Sequence, residues 1–211
     1  MALLLTAAPA GTTGYTLLLA DDADQITAAQ RLRHRVFVDE LGAAPRTATG
    51  GLDADEFDEY CDHLIVRADA TGEVVGTYRV LPPKRAARAG RRYADGEFEL
   101  AALDPLRDHL VEVGRSCVHP DHRSGAVINL IWTGLARYLH LNGYRWLGGC
   151  ASVPVRDDLA GAAAVWERVR TRHRGPPAMR VRPRRPWRAE PGVAAAGEAV
   201  GSAGGTDGAE R

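Results

Sequence analysis

Residues 111–128 have the sequence VEVGRSCVHPDHRSGAVI, which combines a short apolar strand, a turn and the start of a helix. The apolar run over 111–118 predicts a buried strand, and His119-Pro120 predicts the turn that ends it. Residues 126–142 have the apolar spacing of a helix. Because the first amides of a helix have no partner within it, this turn is suited to binding an anion.

An acid and a base, Glu112 and Arg115, lie within this mostly apolar strand. Side chains alternate between the two faces of a flat strand, so these two would point in opposite directions. Both can face one cleft only if a bulge adds a residue between them, and Gly114 is well placed for that. The alternative to a functional pair is a half-buried ion pair or a solvated strand edge.

Residues 113–128 resemble the cofactor-binding motif of the GNAT N-acyltransferase superfamily, in which a strand ending in V-x-P precedes R-x-x-G-x-G/A. Here the strand ends in Val118-His119-Pro120, and Ala126 and Ile128 stand where the family usually has glycines. Those glycines let the backbone approach a pyrophosphate closely, so their replacement argues against classical acetyl-CoA binding. The resemblance implies a donor-binding set of Val118, Arg123, Ser124, Gly125 and Ala126.

More of the chain, roughly residues 15–187, resembles the acyl-carrier-protein-dependent acyltransferases. These are the ornithine-lipid N-acyltransferases, often labelled "hemolysin-like", and more distantly the acyl-homoserine-lactone synthases. The matching segments are Arg33-x-x-x-Phe37, the acidic run over 56–63, Gly76-Thr77-Tyr78-Arg79 and Glu112-x-x-Arg115. The resemblance implies an α+β fold, an α/β/α sandwich whose mixed, mainly antiparallel sheet is flanked by helices.

The resemblance also implies roles for individual side chains. The catalytic residues would be Glu112, Arg115 and Arg79, and the substrate-binding residues would be Arg33, Phe37, Asp58, Asp62 and His63. The residues alone leave alternatives open. The carboxylates over 53–62, which include those of this acidic run, belong either to a solvated loop or to a pocket for an ammonium group, because they repel one another unless a cation lies among them. His63 is either a base or a structural histidine, and Arg79 is either a site residue or an outward-facing arginine.

The implied reaction is transfer of a fatty acyl group, a 3-hydroxyacyl group, from an acyl-carrier-protein thioester to a primary amine such as ornithine, as in lipid biosynthesis. We expect no tightly bound cofactor and no metal; acyl-carrier protein or acyl-CoA would be the co-substrate. The alternatives are an acetyl-CoA-dependent N-acetyltransferase and a truncated, non-catalytic family member. A homoserine-lactone synthase is disfavoured because it would carry a tryptophan six residues after Phe37, where this chain has Ala43.

Composition limits the partners. The chain has 27 basic and 27 acidic residues, and Lys84 is the only lysine. This arginine bias is typical of high-GC coding, so it does not indicate nucleic-acid binding. The basic segment 84–92 is expected to be an exposed loop that docks the acidic carrier protein. Three cysteines without metal-ligand spacing indicate reduced thiols in a cytoplasmic protein. No apolar run is long enough to span a bilayer, but an acyl product makes peripheral membrane contact an expectation.

The domain boundaries and the secondary-structure elements are predicted from composition and apolar spacing. We expect an irregular lead over 1–14, one domain over 15–187 and a disordered tail over 188–211. Asp22 and Gln25 predict a helix start, and the helix should continue to about Leu41, with Leu41 among the apolar residues on its inner side. Strands are expected over 15–19, 63–68, 73–81 and 144–153, with a helix over 159–173. The second and third strands should form a hairpin through the turn 69–72. Gly148-Gly149 should let the last strand splay or admit a ligand. Only 179–182 could form a strand after that helix, so we expect the C-terminal strands of the sheet to be missing.

Overall fold

The computed structural model describes residues 2–7, 14–44, 50–153 and 159–187, with only the backbone described over 2–7. The chain forms two compact units. One comprises residues 1–93 and 105–150, and the other comprises residues 94–104 and 151–211. All residues of the candidate site belong to the first unit.

Eight strands and four α-helices are described. The strands are β1 (Ala2–Ala7), β2 (Tyr15–Leu19), β3 (Asp62–Ala68), β4 (Val74–Leu81), β5 (Phe98–Glu99), β6 (Leu110–Val118), β7 (Trp146–Gly148) and β8 (Arg182–Pro183). The α-helices are α1 (Ala23–His34), α2 (Pro83–Ala89), α3 (Ala126–Leu141) and α4 (Ala160–Arg172), and a π-helical segment, Arg35–Glu40, continues α1. Short 3-10 turns cover Asp58–Tyr60, Tyr93–Gly96, Ala101–His109, Pro120–His122 and Pro177–Met179.

Six strands form one sheet in the order β1-β2-β3-β4-β6-β7. Every neighbouring pair is antiparallel except β6 and β7, which are parallel. In the second unit, β5 and β8 form a two-stranded sheet of their own. The expected mixed, mainly antiparallel sheet flanked by helices is therefore confirmed.

Helices α3 and α1 cover opposite faces of the sheet, as two neighbouring residues of β2 show. Leu17 faces α3, and a Cβ built at Gly134 would lie 2.1 Å from Leu17 Cδ2. Leu18 points the other way and packs with Ala29 of α1 and Ile65. The glycine on α3 lets helix and strand approach closely, and together they enclose the main apolar core.

Several local predictions are confirmed. The Gln25 amide nitrogen donates to Asp22 Oδ1 at 2.7 Å, which caps α1 as expected. The strands β3 and β4 form the predicted hairpin, and Gly72 adopts φ 73° in its turn. The prediction for Leu41 is wrong, because this residue is expected on the inner side of the helix but its exposed fraction is 51%. The π-helical segment changes the number of residues per turn after His34, which moves Leu41 off the inner face.

Three expectations about elements were wrong. Residues 2–7, assigned to an irregular lead, form strand β1, because their main chain can pair with the open edge of β2. The segment 84–92 is not a loop: Pro83 at the first turn and the good helix formers after it produce α2. The strand expected over 144–153 pairs only over Trp146–Gly148.

The end of the chain is only partly described. Among the described residues, the six-stranded sheet contains no strand after β7. The prediction of a strand over 179–182 is wrong at Met179, which lies in a 3-10 turn. It is confirmed at Arg182, which pairs with Glu99. The tail over 188–211 and most of the lead lie outside the described residues. None of the described helices is long and apolar enough to cross a membrane.

Candidate active site

A bulge in β6 distorts the centre of the sheet. Thr77 pairs with Cys117, whereas Arg79 pairs with Gly114, so β6 has one more residue than β4 between these pairs. Arg115 lies in this bulge with φ 54°, a left-handed conformation that is strained for a residue other than glycine. The predicted bulge is thus confirmed, but Arg115 rather than Gly114 adopts the unusual backbone.

The bulge places Glu112 and Arg115 on the face of the sheet that α1 covers. Glu112 pairs with Leu81, whose side chain lies in the cluster beneath α2, and its Oε2 accepts a hydrogen bond from the Tyr93 amide at 2.8 Å. Arg115 Nε lies 3.5 Å from Asp53 Oδ1, and its guanidinium lies 5.4 Å from the centroid of the Phe37 ring. Strand alternation alone would have separated these two side chains.

Arg33 is the centre of a buried ion network on this face. It is 0% exposed, although it is a long charged side chain on α1. Its Nη2 donates to both oxygens of the Asp58 carboxylate, at 2.8 and 3.0 Å. Its Nε donates to the Asp53 main-chain oxygen at 3.1 Å, and the same nitrogen lies 3.3 Å from Asp53 Oδ1.

Arg79 is the second cation of the network. Its Nη1 donates to Asp55 Oδ1 at 2.5 Å and lies 3.5 Å from Asp58 Oδ2. The pKa of Arg79 is raised: burial lowers it, but the hydrogen bond and the charge of Asp55, together with Asp58, outweigh the burial. An outward-facing Arg79 is therefore excluded, because this side chain is buried and paired.

Arginines of the chain itself supply the positive charges that the carboxylates over 53–62 require. Asp53, Asp55 and Asp58 bind Arg33, Arg79 and Arg115. A solvated loop is therefore wrong for these three carboxylates, whereas Glu56 and Glu59 are exposed and Glu56 pairs with Arg91. The sequence contains the acids and the arginines, but it does not show that they neutralise one another.

Asp62 is not brought together with the other candidate residues. Its Oδ2 accepts a hydrogen bond from the Tyr138 hydroxyl at 2.6 Å, and its Oδ1 lies 2.9 Å from Arg85 Nη1. The reason is again strand alternation: Asp62 points towards α3, whereas the next residue, His63, points towards the ion network. The burial of Tyr138 and its hydrogen bond to Asp62 raise the pKa of the phenol.

His63 lies against the network and is 1% exposed. Its Nε2 is 3.1 Å from the Asp58 main-chain oxygen, and its Nδ1 is buried without a hydrogen-bond partner in the described part of the chain. Burial lowers the pKa of His63, an effect that outweighs the opposing influence of Asp58. A buried neutral imidazole is consistent with the structural alternative for this residue.

The lowered pKa of His63 predicts a loss of stability in acid. The unfolded chain takes up a proton near pH 6.5, whereas the folded chain does so only at lower pH, so stability falls as the pH drops below about 6.5, by at most about 1.4 kcal/mol per pH unit for one group. Urea unfolding between pH 7.5 and 5 should show a smaller slope for His63→Gln. The exposed His140 provides the control, since His140→Gln should keep the wild-type slope. Equal slopes for all three proteins would contradict the prediction.

A cleft of about 350 Å³ lies beside the bulge. Phe37 borders it and also contacts Arg115, so the cleft and the ion network meet at this ring. Of the expected donor-binding residues, the cleft contains Val118, Arg123 and Gly125, whereas Ser124 and Ala126 do not line it. Its other lining residues are Val36, Leu41, Ser116, Cys117, His122 and Ile128.

Arg123, at the turn before α3, is held from two sides. Its Nη1 and Nη2 form a two-pronged ion pair with Glu40, at 2.6 and 2.7 Å. Its Nε donates to the Val118 main-chain oxygen at 3.0 Å. Gly125, directly before the helix, adopts φ 94°, which favours glycine. Sequence analysis did not identify Glu40, because 83 residues separate it from Arg123 and no local pattern marks the pair.

The pairing of β6 with β7 ends inside the site. It covers Leu110, Val111 and Glu112, and Glu112 pairs with Gly148 at its last position. A Cβ at Gly149 would lie 2.3 Å from the Val113 main-chain oxygen, so only glycine fits there without a shift. Among the described residues, no strand pairs with β6 on that side beyond Val113. This arrangement agrees with the predicted splay, which leaves main-chain groups of β6 open to a ligand.

Comparisons with known proteins agree with this architecture. Residues 32–133 match the acetyltransferase (GNAT) domain. The chain is 46% identical over 146 residues to the L-ornithine N(alpha)-acyltransferase of Rhodobacter capsulatus, covering 65% of this chain and 56% of that protein. It is 40% identical over 147 residues to the protein of the same name from Rhizobium meliloti, covering 64% and 49%. The chain thus spans about half the length of the curated relatives it matches.

Among solved structures, the chain is similar to the AHL synthase LasI, at 15% sequence identity and a TM-score of 0.49, over 65% of this chain and 72% of that one. The sequence match to the GNAT domain covers the ion network, the bulged strand β6 and every residue that lines the cleft. The chain therefore has the GNAT fold, and its similarity to the acetyltransferase (GNAT) domain covers residues 32–133.

Proposed function

We propose that this chain is an N-acyltransferase that moves a fatty acyl group, a 3-hydroxyacyl group, from an acyl-carrier-protein thioester to the amine of ornithine. The observation that carries the proposal is the bulge in β6, which brings Glu112 and Arg115 to one face of the sheet and which borders an apolar cleft at Ser116 and Cys117. The names of the relatives support ornithine as the acceptor. The product, an N-acyl amino acid, fits a role in lipid biosynthesis.

The cleft suits the donor. Its walls are mainly apolar, with Val36, Phe37 and Ile128 among them, and such a surface accepts an acyl chain or a pantetheine arm. Arg123 and Gly125 border the cleft at the start of α3. A phosphate of the donor would bind there, because the free amides of the helix start and the guanidinium both favour an anion.

The side chains around the bulge suit the chemistry of amide formation. The amine nitrogen attacks the thioester carbonyl carbon, so a C–N bond forms and the C–S bond breaks. Glu112 accepts the proton that the amine loses, and this proton then passes to the leaving thiolate, so that sulfur departs as a thiol and Glu112 is ionised again. A positioned base of this kind contributes roughly 10²–10⁴-fold to the rate.

Arg115 is the group best placed to bind the acceptor carboxylate. Its Nη2 is buried and has no hydrogen-bond partner in the described part of the chain. A carboxylate is the natural partner for such a donor, because it accepts charge-assisted hydrogen bonds. Arg33, Asp58 and His63 act through the network, where they hold Arg79 and Asp53 against Arg115, and Phe37 supports the guanidinium from the cleft side.

Helix α2 supplies a basic surface for the carrier protein. Lys84 and Arg88 are exposed and four residues apart, so they share one face of the helix. Lys84→Glu/Arg88→Glu should raise KM for acyl-carrier protein by roughly tenfold, since rim charges act mainly through encounter. Steady-state kinetics at low salt would measure this, with ornithine saturating. The exposed residues Arg137 and Arg145 provide a charge-matched control variant, and an equal effect in that control would contradict docking at α2.

The function itself is tested by thiol release. Purified protein is offered 3-hydroxyacyl-carrier protein or acetyl-CoA, each with and without ornithine. Release from the carrier-protein thioester that depends on ornithine is the expected result. Release from acetyl-CoA but not from the carrier-protein thioester would indicate an ordinary N-acetyltransferase. No release by a folded sample with any amine would indicate a non-catalytic member of the family.

A further inference from the structure

We propose that Glu40 sets the donor specificity of the cleft, by disfavouring donors with several phosphate groups. The inference rests on the proposed function, because it concerns the acyl donor of the same site. It begins from the ion pair that joins Glu40 to Arg123. Glu40 ends the π-helical segment after α1, and Arg123 lies in the turn that leads into α3.

The pair connects the two walls of the cleft. Phe37 and Leu41, on either side of Glu40 in sequence, line one wall, while Arg123 and Gly125 line the other. All three guanidinium nitrogens of Arg123 are engaged, two by the Glu40 carboxylate and one by the Val118 main-chain oxygen. A phosphate that reaches this guanidinium must therefore share it with Glu40 or displace it.

A phosphate can replace Glu40 on Arg123 because the Glu40–Arg123 ion pair is at the surface. The Arg123 side chain is 43% exposed and the Glu40 side chain 33% exposed, so water screens the attraction between them. Once the phosphate binds Arg123, the nearby Glu40 carboxylate repels it. This repulsion grows with the charge of the donor.

Two classes of donor differ strongly in that charge. The phosphopantetheine of a carrier protein has a single phosphodiester, whereas coenzyme A has a pyrophosphate and a further phosphate. Ile128 adds to the discrimination, because its side chain lines the cleft at the start of α3. Glu40 thus admits the singly charged phosphopantetheine more readily than coenzyme A.

The test compares Glu40→Gln with the wild type in the binding of coenzyme A, measured by calorimetry on the whole chain. Glu40→Gln keeps the shape of the side chain and removes its charge, so coenzyme A should bind roughly tenfold more tightly at low salt. Glu73→Gln, at an exposed position in the hairpin turn, makes the same change in net charge and should leave the affinity unchanged. Equal affinity in wild type and Glu40→Gln, or no measurable binding by either, would overturn the inference.

Turnover separates this inference from the proposed function. In Glu40→Gln, kcat/KM for an acyl-CoA should rise roughly tenfold, while kcat/KM for the acyl-carrier protein changes by about twofold or less, since a single phosphodiester is repelled weakly. If the wild type fails to release thiol from any donor in the presence of ornithine, the proposed function is wrong. The affinity of the two proteins for coenzyme A still decides the role of Glu40, because that measurement requires no turnover.

Discussion

Replacing Arg33 by methionine should lower the free energy of unfolding by about 3–5 kcal/mol, because it leaves buried carboxylates without their cation. Arg33 is fully buried and is bound to Asp53 and Asp58, whose side chains are also largely buried. Methionine fills much of the volume but offers no hydrogen bond and no charge. Asp58 would keep the hydrogen bond from the Asp55 amide, at 2.8 Å, but its nearest arginine nitrogen would then be Arg79 Nη1, at 3.5 Å.

Urea unfolding of the wild type and three variants measures this effect. Arg31→Met on the same helix is the matched control, because Arg31 is exposed, and it should change stability by less than about 0.5 kcal/mol. The free energy of unfolding of Arg33→Lys should lie between those of Arg31→Met and Arg33→Met. An ammonium group keeps the charge, but it cannot reproduce the forked guanidinium that reaches both Asp53 and Asp58. A loss below about 1 kcal/mol for Arg33→Met would show that the network contributes little to stability.

Replacing Glu112 by glutamine should lower kcat by roughly 10²–10⁴-fold if its carboxylate accepts the proton of the attacking amine. The change keeps the size of the side chain and its ability to accept the hydrogen bond from the Tyr93 amide. The fold should therefore be preserved, and a thermal transition close to that of the wild type would confirm this. KM for ornithine should change much less than kcat, because proton transfer belongs to the transition state.

The control for Glu112 is Glu99→Gln, which changes an exposed carboxylate on β5 and should leave turnover unchanged. The kcat of Glu112→Gln should also lose the acidic limb of the pH profile that an ionising base produces. A variant with wild-type kcat would exclude Glu112 as the base. A variant with low kcat but an unchanged pH profile would indicate that Glu112 only positions its neighbours.

The large elements follow from local sequence. The apolar spacing over 126–142 specifies α3, the capping residues Asp22 and Gln25 specify the start of α1, and the alternation around Gly72 specifies the β3–β4 hairpin. These predictions succeeded because each depends on residues within a few positions of one another. The failures at β1 and at 144–153 have the opposite cause, since the length of a paired strand depends on its neighbour in the sheet.

The candidate site was predictable only in part. The residue types and the need for a bulge near Gly114 could be argued from the strand pattern, because Glu112 and Arg115 would otherwise point in opposite directions. The partners of these side chains could not be deduced. Asp62 and His63 are neighbours, yet only His63 reaches the ion network, since strand alternation sends Asp62 to Tyr138.

The sequence by itself determined the kinds of element, the order of the motifs and the family resemblance, because each is written in short-range pattern and spacing. Only the tertiary structure decided which charges neutralise one another: Arg33 with Asp58, Arg79 with Asp55 and Arg123 with Glu40. The members of these pairs lie between 24 and 83 residues apart in the chain. The physical reason is that Coulomb attraction and desolvation depend on distance and burial in space, which no local sequence pattern specifies.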